Sequence, residues 1–371
     1  MVTVLIAGGG TGGHVFPMIA VGDAVKAADP QARVVYVGTS KGMEARVIPD
    51  RGDDLELLPV SPLRGGGALG FMRGLVRAVA TMPEAVRLIA RRRPDVVMSV
   101  GGYAAGPVAI AARAAGIPVT LLEPNSVVGL SNKLLSPFVV RAYTAFAGAE
   151  RNLRPSVVRR NGVPLRHAFE RVAYEPGPSH FRILVLGGSL GARALNEAMP
   201  EAFARLFAAF RHATIVHQTG RDRDATTRAA YAAQGLLAAE GEVGVVRVVP
   251  FVDEVAREIA RADVIVQRAG ASSLAELCAI GRPSILVPFP FAADQHQLAN
   301  ARSLEKAGAA IALPQDEATE ARLFAELSAL AADPDRRTRM AERAAAEGKP
   351  SAAADIAADL LELARRAKGK N

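Results

Sequence analysis

Val4-Leu-Ile-Ala-Gly-Gly-Gly-Thr-Gly-Gly13 and Ile183-Leu-Val-Leu-Gly-Gly-Ser-Leu-Gly-Ala192 repeat one pattern, an apolar strand running into a glycine-rich turn. Around the first copy, short β-branched runs at Thr3–Ala7, Arg33–Val37, Val96–Val100 and Val119–Leu122 alternate with Ala-rich, helix-length stretches. Around the second, strands are expected at Arg182–Leu186, Thr214–His217, Gly244–Val249, Val264–Gln267 and Ser284–Val287. Strands alternating with helices predict parallel βαβ units, and the restart predicts two doubly wound α/β domains. Asn161-Gly-Val-Pro-Leu-Arg166 and Tyr174–Ser179 form the expected linker zone. The partition is 1–164, 165–349 and a final amphipathic helix, 350–371, that can cross back to the first domain. A ligand cleft is then expected between the halves, at the carboxyl ends of the strands.

The 371 residues suit two domains of about 150–200 residues. Half of them are apolar and 22% are charged, which excludes a disordered tail protein. The formal charge is +8, but only 7 of the 45 basic residues are lysines, so the arginine excess reads as genome composition as much as function. A basic balance permits an anionic membrane, a polyphosphate or a nucleic acid and selects none. Cys278 stands alone, which excludes an internal disulfide and suits a reducing compartment. The opening Met1-Val-Thr-Val-Leu-Ile lacks a basic n-region and reads as a strand. Tyr103–Leu122 is broken by Pro107, Arg113, Gly116 and Pro118, so membrane contact is expected to be peripheral.

Gly8, Gly10 and Gly13 satisfy G-x-G-x-x-G between a strand and a helix. A nicotinamide enzyme would add an acidic residue at the end of the second strand, and Val34–Thr39 ends without one. No G-K-[ST] is present. The glycines can still bring backbone amides at a helix N-terminus toward an oxygen anion, or simply make a tight turn. In the second copy Ser189 adds a hydroxyl that suits a diphosphate. Arg268-Ala-Gly-Ala-Ser-Ser-Leu-Ala-Glu276 is a third such turn, in which Glu276 takes ribose hydroxyls or else complements a helix dipole from its first turn. Gly101-Gly-Tyr103 and Glu123-Pro-Asn125 follow first-half strands and should face the same cleft as His14, which is a base or a helix-start group. Asp294–Asn300, with His296 and Gln297, offers hydrogen bonds for sugar hydroxyls or a capped surface helix.

Asp222-Arg-Asp224 and Asp333-Pro-Asp335 read as helix-start acids, so no catalytic metal and no cofactor are expected. Between Leu69 and Arg93, apolar Phe71, Met72, Leu75 and Val79 interleave with Arg73, Arg77, Arg87 and Arg91–Arg93. That suits either an anionic bilayer or a helix covering its own sheet.

Five ordered motifs together resemble the MurG family, bacterial GT-B glycosyltransferases that pass GlcNAc from UDP-GlcNAc to lipid I. They are Gly8–Pro17, Gly101–Pro107, Gly187–Arg193, Arg268–Glu276 and Gln295–Gln297. The resemblance covers nearly the whole chain. It implies an acceptor- and membrane-associated N-terminal domain and a donor-binding C-terminal one. Ser189 would hold the diphosphate, Glu276 the ribose and the Val252 backbone the uracil edge, with Arg268 helping to hold the nucleotide. Gln297, His296 and the Ala271 amide would read GlcNAc, while Arg166 and Asn125 border the sugar and diphosphate. Thr11, Gly12, Gly13, His14 and Tyr103 would bind substrate, with the motif of His14 facing the acceptor side.

The implied reaction is an inverting hexosyl transfer. The C4 hydroxyl of MurNAc attacks the anomeric carbon, UDP leaves, and lipid II forms with a β1,4 bond. His14 is the expected base, grouped with Glu123 and Asn125 as catalytic. UDP would be stabilised by amides and Ser189 without a metal. The resemblance also implies peptidoglycan synthesis, with roles in cell shape and division, and a peripheral position on the cytoplasmic face of the inner membrane. Its expected partners are an anionic lipid surface and other cell-wall synthesis proteins, with no nucleic acid. Three motifs depart from the family's usual form: Leu122-Glu-Pro-Asn125 stands for His-Glu-Gln-Asn, Gly162-Val-Pro-Leu-Arg166 for Gly-Asn-Pro-x-Arg, and Leu190 for Gln.

Overall fold

A computed structural model describes residues 1–59, 80–102, 104–166, 168–177, 179–188, 191–237 and 244–369. The chain divides into two compact units, Met1–Arg166 with Lys349–Asn371, and His167–Gly348. The unit boundary falls two residues beyond the sequence partition, which places Arg166 with the first unit.

The first unit holds a seven-stranded parallel sheet in the order β3-β2-β1-β4-β5-β6-β7. Its strands are β1 (Thr3–Ala7), β2 (Arg33–Thr39), β3 (Leu55–Leu58), β4 (Val96–Ser99), β5 (Val119–Glu123), β6 (Arg141–Thr144) and β7 (Val158–Arg159). Val4 pairs with Val34 on one side and Val96 on the other, so β1 is central and fully buried, as its unbroken apolar run requires. The second unit holds six parallel strands in the order β10-β9-β8-β11-β12-β13. They are β8 (Phe181–Leu186), β9 (Ala213–Gln218), β10 (Val246–Val249), β11 (Val264–Gln267), β12 (Ser284–Leu286) and β13 (Ala310–Ala312). In each sheet the winding reverses beside the first strand, between β1 and β4 and between β8 and β11. The carboxyl ends at such a reversal diverge and leave a crevice. All the glycine turns singled out in the sequence lie at those ends.

Four strands were not anticipated from the sequence: β3, β6, β7 and β13. Each is short or lacks β-branched residues, and each is made a strand by its sheet neighbour rather than by its own propensity.

The C-terminal helix Ala352–Lys368 belongs to the first unit and packs along the first helix, Gly12–Ala28. Ile356, Ala357, Leu360, Leu361 and Ala364 are buried against a cluster that includes Val15, Met18, Ile19 and Val25. Gly162 (φ +88) lets the chain pass so close to Lys349 that a Cβ there would lie 2.6 Å from the lysine Cβ.

The Tyr174 region, expected to be linker, is pinned to the second unit. Tyr174 Oη donates to Asp263 O (2.9 Å) and accepts from Arg337 Nε (3.1 Å). Buried Arg282 donates to Val172 O and Gly281 O, both at 2.9 Å.

Candidate active site

In the first unit, β1 ends at Ala7 and Gly8 N donates to Val37 O (3.0 Å). Gly9 and Gly10 then take φ +134 and +98, a path that side chains resist. Thr11 is the extended residue before helix Gly12–Ala28, and the helix has no acidic residue in its first turn. Its N-terminal dipole is therefore available to an anion. His14, the third helical residue, is half-buried, and its Nδ1 lies 3.3 Å from Gly9 O. A carbonyl can only accept, so this bond puts the proton on Nδ1 and the lone pair on Nε2.

The turn after β4 comes up against this loop. A Cβ at Gly102 would sit 3.0 Å from Gly9 O, and one at Gly101 would sit 3.7 Å from His14 Nε2. Only glycines, both with φ near +90, allow that approach. Gly101 N donates to Ser99 Oγ (3.3 Å), and Ser99 Oγ donates to Asn132 Oδ1 (3.2 Å). Asn132 Nδ2 reaches Leu122 O (2.9 Å) and Glu123 Oε2 (3.1 Å).

Glu123 is 2% exposed and gathers at least four donors among the described residues. Besides Asn132, these are Gly129 N (2.9 Å), Asn125 N (3.1 Å) and Asn125 Nδ2 (3.3 Å). The Glu123 carboxylate ties down the loop from Asn125 to Gly129. Arg166 lays its guanidinium over the Phe16 ring, 5.1 Å from the centroid.

Sequence reasoning missed Ser99, Asn132 and Glu44. Ser99 interrupts the apolar run Val96–Val100, and that interruption was the available signal, whereas Asn132 lies in the polar stretch Ser131-Asn-Lys133 and had none. Glu44 is wholly buried and accepts from Gly10 N (2.8 Å), Thr39 N (2.8 Å) and Thr39 Oγ1 (3.0 Å). It is the acid sought at the end of β2, five residues further on. Turned inward onto the glycine loop, it offers nothing to a ribose.

In the second unit, Gly187 N donates to Gln218 O (3.3 Å), and Gln218 Nε2 holds Gly188 O (3.0 Å). A Cβ at Gly191 would meet Thr219 O at 1.9 Å, so this turn needs glycine for packing as well as for its φ of +73. Helix Arg193–Ala209 follows, again without a first-turn acid. Ser189 lies outside the described residues, as do Leu190, Tyr103 and 60–79, which include the basic-apolar stretch from Leu69 to Val79.

The third turn leads into helix Ala271–Ile280, whose first turn contains no acid. Glu276 sits in the second turn, half-buried, which removes the helix-dipole reading. Ala271 opens the helix, and buried Asn300 ties it to helix His296–Lys306 by donating to Ala269 O (3.2 Å). Arg268 is committed to structure: it donates to Val287 O (3.1 Å), Pro288 O (3.2 Å) and Gln315 Oε1 (2.7 Å). Burial pushes its pKa down.

Gln297 Oε1 accepts from Phe289 N (2.9 Å), which turns its amide NH2 toward other partners. His296 Nδ1 contacts Ala293 O (2.7 Å). Val252 is buried beside exposed Phe251. Asp333 caps its helix by accepting from Arg336 N (2.7 Å), and Asp224 opens another. Among the described residues no group of three or more His, Cys, Asp or Glu is placed to hold a metal ion.

These two sets of glycine turns are features of a sugar-nucleotide transferase. Residues 4–144 match the glycosyltransferase family 28 N-terminal domain and residues 182–356 its C-terminal domain. A Sorangium cellulosum protein is 62% identical over 98% of this chain and 89% of its own length. It is described as UDP-N-acetylglucosamine–N-acetylmuramyl-(pentapeptide) pyrophosphoryl-undecaprenol N-acetylglucosamine transferase. The crystal structure of Acinetobacter baumannii MurG superposes with a TM-score of 0.81 at 29% identity, covering 98% of this chain and 100% of that one. The chain belongs to the MurG family of glycosyltransferases. A UDP-GlcNAc 2-epimerase from Neisseria meningitidis shares the fold alone, with a TM-score of 0.68 at 12% identity over 98% and 100% of the two chains.

Proposed function

We propose that the chain transfers GlcNAc from UDP-GlcNAc to the C4 hydroxyl of MurNAc in undecaprenyl-pyrophosphoryl-MurNAc-pentapeptide, inverting the anomeric centre and giving lipid II. The substrates follow the name carried by the relatives. The observation that carries the chemistry is the Nδ1–Gly9 O contact of His14, which puts the proton on Nδ1 and makes Nε2 the nitrogen that would take the hydroxyl proton as the C–O bond forms. Thr11–Gly13 and the Gly101 turn border that proton transfer, and Asn125, held by Glu123, adds a polar contact. In the second unit helices Arg193–Ala209 and Ala271–Ile280 open without first-turn acids, and their N-terminal amides would take the negative charge of departing UDP. Ser189 would bind the diphosphate, Glu276 the ribose, the Val252 backbone the uracil, and His296, Gln297 and the Ala271 amide the GlcNAc hydroxyls. Arg268 would act by bracing the Val287–Pro288 segment.

The enzyme would act at the cytoplasmic face of the inner membrane as a peripheral protein, alongside other cell-wall synthesis proteins. Among the described residues no helix is long and apolar enough to cross a membrane. Leu130, Leu134 and Phe138 are each more than half exposed, near exposed Lys133, and favour contact with an anionic bilayer.

The test is UDP release from UDP-GlcNAc with and without a lipid I analogue, in EDTA. Acceptor-dependent release is expected. Release of free ManNAc or UDP-ManNAc without acceptor would replace transfer with epimerisation.

A further inference from the structure

We propose that Glu44 is a positioning residue for His14, acting through the Gly9–Gly10 peptide group to fix which imidazole nitrogen carries the proton. The two side chains share no direct bond; the link is one peptide plane. Glu44 Oε2 takes the N–H of Gly10 (2.8 Å), and the C=O of the same peptide, Gly9 O, faces His14 Nδ1 (3.3 Å). In a trans peptide N–H and C=O point in opposite directions, so anchoring one aims the other.

Here the anchor must come from outside. Gly9 and Gly10 have no Cβ to restrict rotation of the plane between them, and their φ values of +134 and +98 are reached at little cost in either sense. A flipped plane would turn a donor toward His14 Nδ1 and favour the opposite tautomer, with the proton on Nε2.

The socket around Glu44 is built for the carboxylate. The residue is wholly buried, and its other oxygen is held by Thr39 N (2.8 Å) and Thr39 Oγ1 (3.0 Å). Cβ atoms at Gly9, Gly38 and Gly42 would lie 2.2, 2.3 and 2.1 Å from its side-chain atoms. Three donors thus converge on two acceptor oxygens. A glutamine of the same shape offers one oxygen and one NH2, so Gly10 N–H or Thr39 N–H would face another donor.

This inference rests on His14 as the base, and its test separates the two. In chain labelled with 15N-histidine, at a pH of about 8 where a histidine of ordinary pKa is neutral, long-range 1H–15N correlation reads the His14 tautomer. His14→Gln assigns the signal. The expected wild-type result is a proton on Nδ1. In Glu44→Gln an Nε2–H population should emerge, and kcat should fall about 10- to 100-fold, with KM for UDP-GlcNAc unchanged. A wild-type His14 protonated on Nε2 overturns the proposal whether or not the variant folds. So does an unchanged tautomer in a variant with wild-type circular dichroism. If the tautomer moves in Glu44→Gln while turnover does not, the base role of His14 falls and the positioning by Glu44 stands.

Discussion

Glu123 and His217 show how single buried polar groups hold the two glycine-turn regions, and each carries a measurable consequence. Glu123→Ala leaves Gly129 N and one of the two Asn132 Nδ2 hydrogens without the carboxylate they donate to, while the other stays on Leu122 O. Urea unfolding should register a loss of about 2–3 kcal/mol. A loss below about 0.5 kcal/mol would mean that water replaces the carboxylate. His217 is buried between Tyr231 Oη (3.0 Å) and Asn196 Oδ1 (3.1 Å), and burial pushes its pKa down to about 3. Its unfolded value is about 6.5. Between those values the unfolded chain binds the extra proton, so stability is full above about pH 6.5 and is lost as pH falls toward 3. The contribution to the slope approaches at most ~1.4 kcal/mol per pH unit. Denaturant titrations between about pH 4 and 6 should give a shallower slope for His217→Gln than for wild type. Equal slopes would show that His217 is protonated in the native protein.

At the scale of elements, the central strands were legible because β1, β4 and β11, and β8 from Ile183 to Leu186, are buried and almost wholly apolar. The peripheral ones were not. β13 is Ala-Ile-Ala and β7 is two residues long, and both exist through pairing with a neighbour. Among site residues, those on glycine turns were legible, since positive φ and close approach leave a compositional trace. Ser99, Asn132 and Glu44 were not, because a lone polar residue carries no sign of the loop it will reach. The arginine excess, open between genome composition and function, gave no sign of which arginines are structural: Arg282 and Arg337 are 2% exposed and bond to backbone carbonyls. The C-terminal helix was visible as an amphipathic stripe, but its dock on helix Gly12–Ala28 needed the structure. Because Leu360 is fully buried in that contact, Leu360→Ala should cost about 2–4 kcal/mol of first-unit stability. Unfolding followed by a probe in the first unit should show it, and a cost under about 1 kcal/mol would mean that the dock is loose.

The whole molecule has an asymmetry that the separate sheets hide. The second unit is continuous in sequence and closes its own core around Phe181, Phe203, Leu206 and Tyr231. The first unit is interrupted: its sheet is complete by residue 159, yet the helix covering β1 and β4 arrives only at residues 352–368. Until that helix docks, the apolar surface of helix Gly12–Ala28 stays in water. Separation of that length carries a loop-closure entropy, reduced once the intervening unit has folded and brought its ends together. A fragment spanning residues 167–348 is therefore expected to fold alone, with a cooperative thermal transition. On the donor-site assignment it should bind UDP-GlcNAc within about tenfold of the full chain, a difference of roughly 1.4 kcal/mol by calorimetry. Residues 1–166 alone should stay unfolded or aggregate, and co-expression with 349–371 should recover a soluble first unit. A folded 167–348 fragment that does not bind UDP-GlcNAc would move the donor site out of the second unit. A stable, monomeric 1–166 fragment would show that the C-terminal helix is dispensable to the core it covers.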